Sequence, residues 1–74
     1  MDTTVFPFED VFRTNPDGSL SPRREIQFNG ERMRPGGFLK PGEMFGGLDI
    51  CEHYGKSVEV EDHGHLLLIL GFYP

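Results

Sequence analysis

Residues 65–72 read His65-Leu66-Leu67-Leu68-Ile69-Leu70-Gly71-Phe72, with no polar residue at positions 66–70. A strand with one face in water alternates apolar and polar side chains; a run without alternation needs cover on both faces. The run is strand-sized and far short of the roughly 20 apolar residues that a helix needs to cross a bilayer. It therefore reads as the central strand of a small sandwich or barrel, or as one side of a subunit interface.

The segment before it extends this reading into a meander. Ser57-Val58-Glu59-Val60-Glu61 alternates as a strand should. Two candidate turns flank it, His53-Tyr54-Gly55 and Asp62-His63-Gly64, each read as a three-residue loop with glycine in the left-handed position. That register sets Glu52 against Lys56, Ile50 against Val58 and Leu48 against Val60 on one side. On the other it sets Glu61 against His65, Val60 against Leu66 and Val58 against Leu68. Leu48, Ile50, Val58, Val60, Leu66, Leu68 and Leu70 then share one face. Leu67 and Ile69 lie on the opposite face beside Glu59 and Ser57, and need cover from the N-terminal phenylalanines, another hairpin or a second subunit.

Turn chemistry organises the first half. Asn15-Pro16-Asp17-Gly18 has proline where a turn favours its fixed φ, and glycine at the end. Asn29-Gly30 is a strong hairpin signal, because a type I′ turn needs positive φ at both central residues. A two-residue loop there pairs Phe28 with Glu31, Gln27 with Arg32, Ile26 with Met33 and Glu25 with Arg34, the last a charge pair. Ile26, Phe28 and Met33 share the apolar face. Residues 34–47, broken by prolines and glycines, read as an irregular crossover anchored by Phe38, Leu39, Met44 and Phe45, or as a loop presenting Phe38 or Met44 to a partner. Near the start, Phe8, Val11 and Phe12 stand at helical spacing, while Phe6 and Phe8 alternate equally well along an edge strand that tolerates Pro7. Both readings fit.

The expected fold is all-β: one small antiparallel domain over residues 1–74, barrel-like or sandwich, with five to six short strands and a C-terminal three-stranded meander. Strand candidates are 11–14, 19–28, 31–34, 48–53, 56–61 and 65–72, with 19–28 shortened by Pro22. A domain of 74 residues buries only about 60% of the surface its unfolded chain exposes. Small domains gain stability from disulfides, metals or partner subunits. Cys51 is the single cysteine, so no internal disulfide forms and a reducing, cytoplasmic setting is expected. Met1-Asp2 opens without the basic and apolar stretches of a secretory leader. Self-association, most simply as a dimer, is the expected reinforcement.

The net charge of −5 is uneven. Residues 1–40 balance six basic against six acidic side chains; residues 41–74 set Lys56 against Glu43, Asp49, Glu52, Glu59, Glu61 and Asp62. An acidic surface repels phosphate backbones, so nucleic acid is not an expected partner, nor is a membrane.

Three constellations could carry chemistry. Cys51, His53, His63 and His65 are zinc-type ligands, but the expected register places His53 and the 62–64 turn roughly 15–20 Å apart at ~3.3 Å per residue. Gly55-Lys56-Ser57 resembles the end of a phosphate loop; the motif requires glycine where Ile50 stands, and a helix where a strand is expected. Glu52–His53 and Asp62–His63 could form acid–base dyads, but neighbours on a strand point to opposite faces. No cofactor or catalytic residue is expected. The function expected is a non-enzymatic protein-interaction module that self-associates, with Phe38, Met44, Phe45, Leu67, Ile69 and Tyr73 as contact candidates. A small-molecule or metal-binding β-barrel is the first alternative. An acidic inhibitor imitating nucleic acid is the second, with Asp49, Glu59 and Glu61 on a face shared with Leu67 and Ile69.

Overall fold

The computed structural model describes residues 3–74. Seven strands and two short helical turns follow one another as β1 (Thr3–Phe6), α1 (Phe8–Val11), β2 (Phe12–Thr14), β3 (Leu20–Pro22), β4 (Glu25–Phe28), β5 (Glu31–Met33), a 3-10 helix (Ile50–His53), β6 (Ser57–Asp62) and β7 (Leu66–Tyr73). Five strands form one sheet in the order β1-β6-β7-β4-β5, and β2 and β3 form a separate hairpin. The all-β expectation holds. The large sheet is open rather than closed into a barrel, since β1 and β5 lie at opposite edges. It is mixed rather than antiparallel, because β4 and β7 run parallel with Ile26 opposite Leu67.

The Asn29-Gly30 hairpin forms as its sequence dictates. Both residues take positive φ, 49° and 86°, and Phe28–Glu31, Gln27–Arg32 and Ile26–Met33 face one another. Ile26 and Phe28 are buried in the core. The expected Glu25–Arg34 pair is replaced by a diagonal one: β5 ends at Met33, and Glu25 lies 3.7 Å from Arg32 instead. The Asn15–Gly18 turn also forms, with the Gly18 N–H donating to the Asn15 carbonyl at 2.9 Å. Near the N-terminus the two open readings divide the segment between them. Phe6 ends an edge strand, Pro7 precedes the helical turn, and Phe8 and Val11 enter the core.

β7 is central, flanked by β6 and β4, but its faces are reversed from the expected register. The β6–β7 connection closes tightly about Gly64 (φ 82°), with His63 N–H donating to the Leu66 carbonyl. Asp62 therefore faces Leu67, Glu61 faces Leu68 and Val60 faces Ile69. The partner of Val60 moves by three residues, and an odd shift exchanges the two faces of a strand. Leu67 (1% exposed) and Ile69 (3%) join Val58 and Val60 in the core. A bulge adds Leu70 between the Val60–Ile69 and Glu59–Gly71 pairs. The extra residue resets the alternation, so Phe72, opposite Val58, turns inward as well.

Residues 48–53 do not form the third meander strand. The Asp49 carboxylate accepts from the Cys51 N–H and caps a 3-10 turn, and the Glu52 N–H closes on the Asp49 carbonyl. Ile50 is fully buried at its start. The strand that flanks β6 is β1, with Thr4 opposite Val60 and Phe6 opposite Val58. The crossover is pinned at two points. Leu39 exchanges two backbone hydrogen bonds of 2.8 Å with Leu20, and Phe45 pairs with Leu48. Leu39 and Phe45 are buried while Phe38 and Met44 point outward. α1, the β2–β3 hairpin, the crossover and the 3-10 helix thus supply the side chains that cover one face of the sheet.

Arg24 ties the β6–β7 turn to the start of β4. Its guanidinium reaches both Asp62 carboxylate oxygens at 3.1 Å and the Gly64 carbonyl at 2.9 Å. These bonds, together with the Gly64 N–H, hold the Asp62 carboxyl below its ordinary pKa of 3.8. A carboxylate depressed by folding contributes stability that is complete above its unfolded pKa and is lost as pH falls through the folded value. The gap in urea midpoint between wild type and Asp62→Asn should therefore be constant above about pH 5, and shrink as pH drops below 3.8. A gap unchanged down to the acid-unfolding limit would break this assignment.

Candidate interaction surface

The face of the five-stranded sheet opposite the core follows from the register, and of its β7 side chains Leu66 is buried. Thr3 and Val5 of β1 lie beside Glu61 and Glu59 of β6. Glu61 lies beside Leu68, and Glu59 beside the bulge at Leu70-Gly71. Leu66 and Leu68 lie beside Glu25 and Gln27 of β4, and Gln27 beside Arg32 of β5. Exposure is 59% at Val5, 43% at Leu70 and 50% at Tyr73, and Leu68 is half-buried. None of these four belongs to the core.

Hydrogen bonds fix the polar side chains of this face. Glu59 accepts from the Tyr73 hydroxyl at 3.1 Å and from the Thr3 hydroxyl at 3.3 Å. The Tyr73 ring folds back over Gly71, where even a methyl group would touch it at 3.4 Å. The bond to Glu59 also raises the Tyr73 phenol above its ordinary pKa of 10.0. His63 Nε2 lies 3.2 Å from Glu61, and Arg32 donates to Gln27 at 3.2 Å while approaching Glu25. The result is an apolar stripe along β7, bordered by Glu59 and Glu61 of β6, beyond which Val5 stands on β1, and by Glu25 and Gln27 of β4 with Arg32 of β5 next to them.

The six expected contact residues divide. Phe38 (53% exposed), Met44 (67%) and Tyr73 (50%) face outward. Phe45, Leu67 and Ile69 are core residues with no surface to offer. The reversal of β7 also corrects the face expected to join acids to Leu67 and Ile69. Glu59 and Glu61 share theirs with Leu68 and Leu70, and Asp49 caps a helical turn off the sheet. Sequence reasoning missed Val5, Leu68 and Leu70 as surface residues. The signal for Val5 was Thr3-Thr4-Val5-Phe6, a β-rich run ending at proline.

The residues weighed for chemistry are dispersed. His53 stacks on Phe72 at 5.3 Å and places Nδ1 3.0 Å from Lys56 Nζ, rather than meeting Glu52. Asp62 is taken by Arg24 and Gly64, and His63 by Glu61, so that pair does not meet either. Ser57 starts a strand, not the helix that a phosphate loop requires. Among the described residues, no three His, Cys, Asp or Glu side chains are grouped to hold a metal ion, and no helix is long and apolar enough to cross a membrane. No protein-family model, curated protein or solved structure matches this chain.

Proposed function

We propose that the protein is a non-enzymatic interaction module that docks a partner protein on the outer face of its five-stranded sheet. The observation that carries this reading is the group of Leu68, Leu70 and Tyr73 on β7 with Val5 across β6, all four outside the core cluster and three of them exposed. Apolar residues grouped on a surface and rimmed by polar ones favour contact with another protein. The charges on this face favour a partner of different composition over a second copy. Among the described residues that the strand pairing places on this face, Glu25, Glu59 and Glu61 outnumber Arg32, with His63 beside Glu61, and a two-fold dimer through it would bring two net-acidic faces together. A protein surface with lysine or arginine around an apolar ridge complements it. Leu67 and Ile69 are core residues and offer no surface for self-association.

Affinity purification with quantitative mass spectrometry tests the reading, run beside sedimentation of the isolated protein. A partner retained by wild type and by Phe38→Asp, but lost from a folded Val5→Asp/Leu70→Asp variant, is the expected result. Its retention should weaken at high salt. Equal retention by the double variant removes the outer face from the proposal. Wild-type dimers that dissociate in the double variant would return self-association as the function of this face.

A further inference from the structure

A second feature lies away from the outer face. Between the β2–β3 hairpin, the crossover and the 3-10 helix is an open cleft of about 370 Å³, lined by Thr14, Leu20, Pro41, Asp49, Cys51, Glu52 and Tyr54 among others. Its volume falls within the range of small-ligand sites. The half-buried Cys51 and the exposed Pro41 contribute apolar surface, and the buried Leu20 lies beneath them. Asp49 and Glu52 bring two carboxylates, and no basic side chain among the described residues lines the cleft. Asp49 is held in place by the Cys51 N–H at 3.1 Å and the Gly42 N–H at 3.0 Å. The Tyr54 ring rests on Phe8 at a centroid distance of 5.3 Å and is otherwise exposed. The neighbouring depression, of about 250 Å³, shares Thr14 and Tyr54 but is lined by Arg13 and Arg23 with Glu9.

We propose that the 370 Å³ cleft binds an organic cation, an ammonium or guanidinium group on a short apolar stem. The stem lies along Pro41 and Cys51. The charge lies between the Asp49 and Glu52 carboxylates, where the Tyr54 ring adds a cation–π face. An anion is repelled by the carboxylates, and a neutral ligand forgoes them. The cysteine is floor rather than nucleophile: burial first, then Asp49 and Glu43, raise its thiol above the ordinary 9.0, and the thiolate is the reactive form. The same chemistry could arrive as a free amine or as an arginine side chain of a protein.

The test is an amide-resolved NMR titration of the whole chain with agmatine, a guanidinium-bearing diamine, and with the capped peptide acetyl-Gly-Arg-Gly-amide. 1,4-Butanediol serves as the neutral control. Expected are saturable shifts at Thr14, Leu20, Cys51 and Tyr54 that the diol does not cause. Glu52→Gln should weaken binding at least threefold and Tyr54→Leu by a similar factor, while both variants keep the wild-type spectrum elsewhere. Tighter binding of agmatine assigns the cleft to free amines, and tighter binding of the peptide assigns it to a protein side chain. Shifts that do not saturate, that scatter over Glu25, Glu59 and Glu61, or that survive Glu52→Gln unchanged overturn the proposal. Because the probed residues lie off the outer sheet face, failure here leaves the docking reading untouched, and the converse holds.

Discussion

Leu67→Asp is expected to leave the chain unfolded at 25 °C, while Leu70→Asp, three positions along the same strand, is expected to fold. Leu67 is 1% exposed and packs with Ile26, Val60 and the phenylalanines of the core. Truncating such a side chain alone costs about 2–5 kcal/mol. A carboxylate in its place adds the penalty of an unpaired buried charge. Against this stands a total stability of roughly 4–11 kcal/mol for a domain of this length. Leu70 is the bulge residue, 43% exposed on the outer face, where surface changes cost within about 0.5 kcal/mol. Far-UV circular dichroism and urea titration of both variants decide the matter. A folded Leu67→Asp with an unfolded Leu70→Asp would restore the register in which Leu66, Leu68 and Leu70 face the core.

The second large effect is expected at Gly46. Its φ is 61°, in the left-handed region, and an added Cβ would lie 2.5 Å from the Phe28 ring and 2.7 Å from the Phe28 carbonyl oxygen. Neither neighbour gives way easily, since one is backbone and the other a buried ring. Gly46 is also held at both ends: its N–H donates to the Glu31 carboxylate, and its carbonyl accepts from the Asn29 amide at 2.9 Å. The crossover is thereby stapled onto the β4–β5 turn. Gly46→Ala combines left-handed strain of about 1–2 kcal/mol with overpacking of about 1–3 kcal/mol. Gly42→Ala supplies the comparison, because Gly42 has φ 90° but an added Cβ there would meet nothing within 4 Å. Its loss should reflect backbone strain alone. Urea midpoints that fall equally for both variants would mean that the Phe28 contact contributes nothing.

Much of this was legible where a short segment decides its own conformation. Asn29-Gly30 specified turn, register and buried face together, and Asn15-Pro16-Asp17-Gly18 specified the turn that joins β2 to β3. The β7 run announced a central strand. What failed was parity. Asp62-His63-Gly64 allows glycine to be the last residue of a three-residue loop or the pivot of a tighter one, and the two differ by an odd number of rungs. Every contact residue inferred from that strand face changed sides with it. Residues 48–53 misled because Leu48 and Ile50 alternate like a strand, while Asp49 as a cap was the competing signal. The parallel β4–β7 pairing has no local signature at all. The outer face could be located only once these long-range partners were known, and the cleft needed three separate segments to converge.

The sheet order also governs when the fold can form. Two of its four pairings close through tight turns, at Asn29-Gly30 and around Gly64. The other two join distant positions, Ile26 to Leu67 and Phe6 to Val58. Loop closure over such distances must precede any gain from the contact, which slows folding relative to local topologies. During synthesis β1 emerges ahead of β6, its partner in the sheet, which follows more than fifty residues later. Until then Thr3-Thr4-Val5-Phe6 is an unprotected β-forming strip, and its safety rests on the speed with which the last two strands arrive.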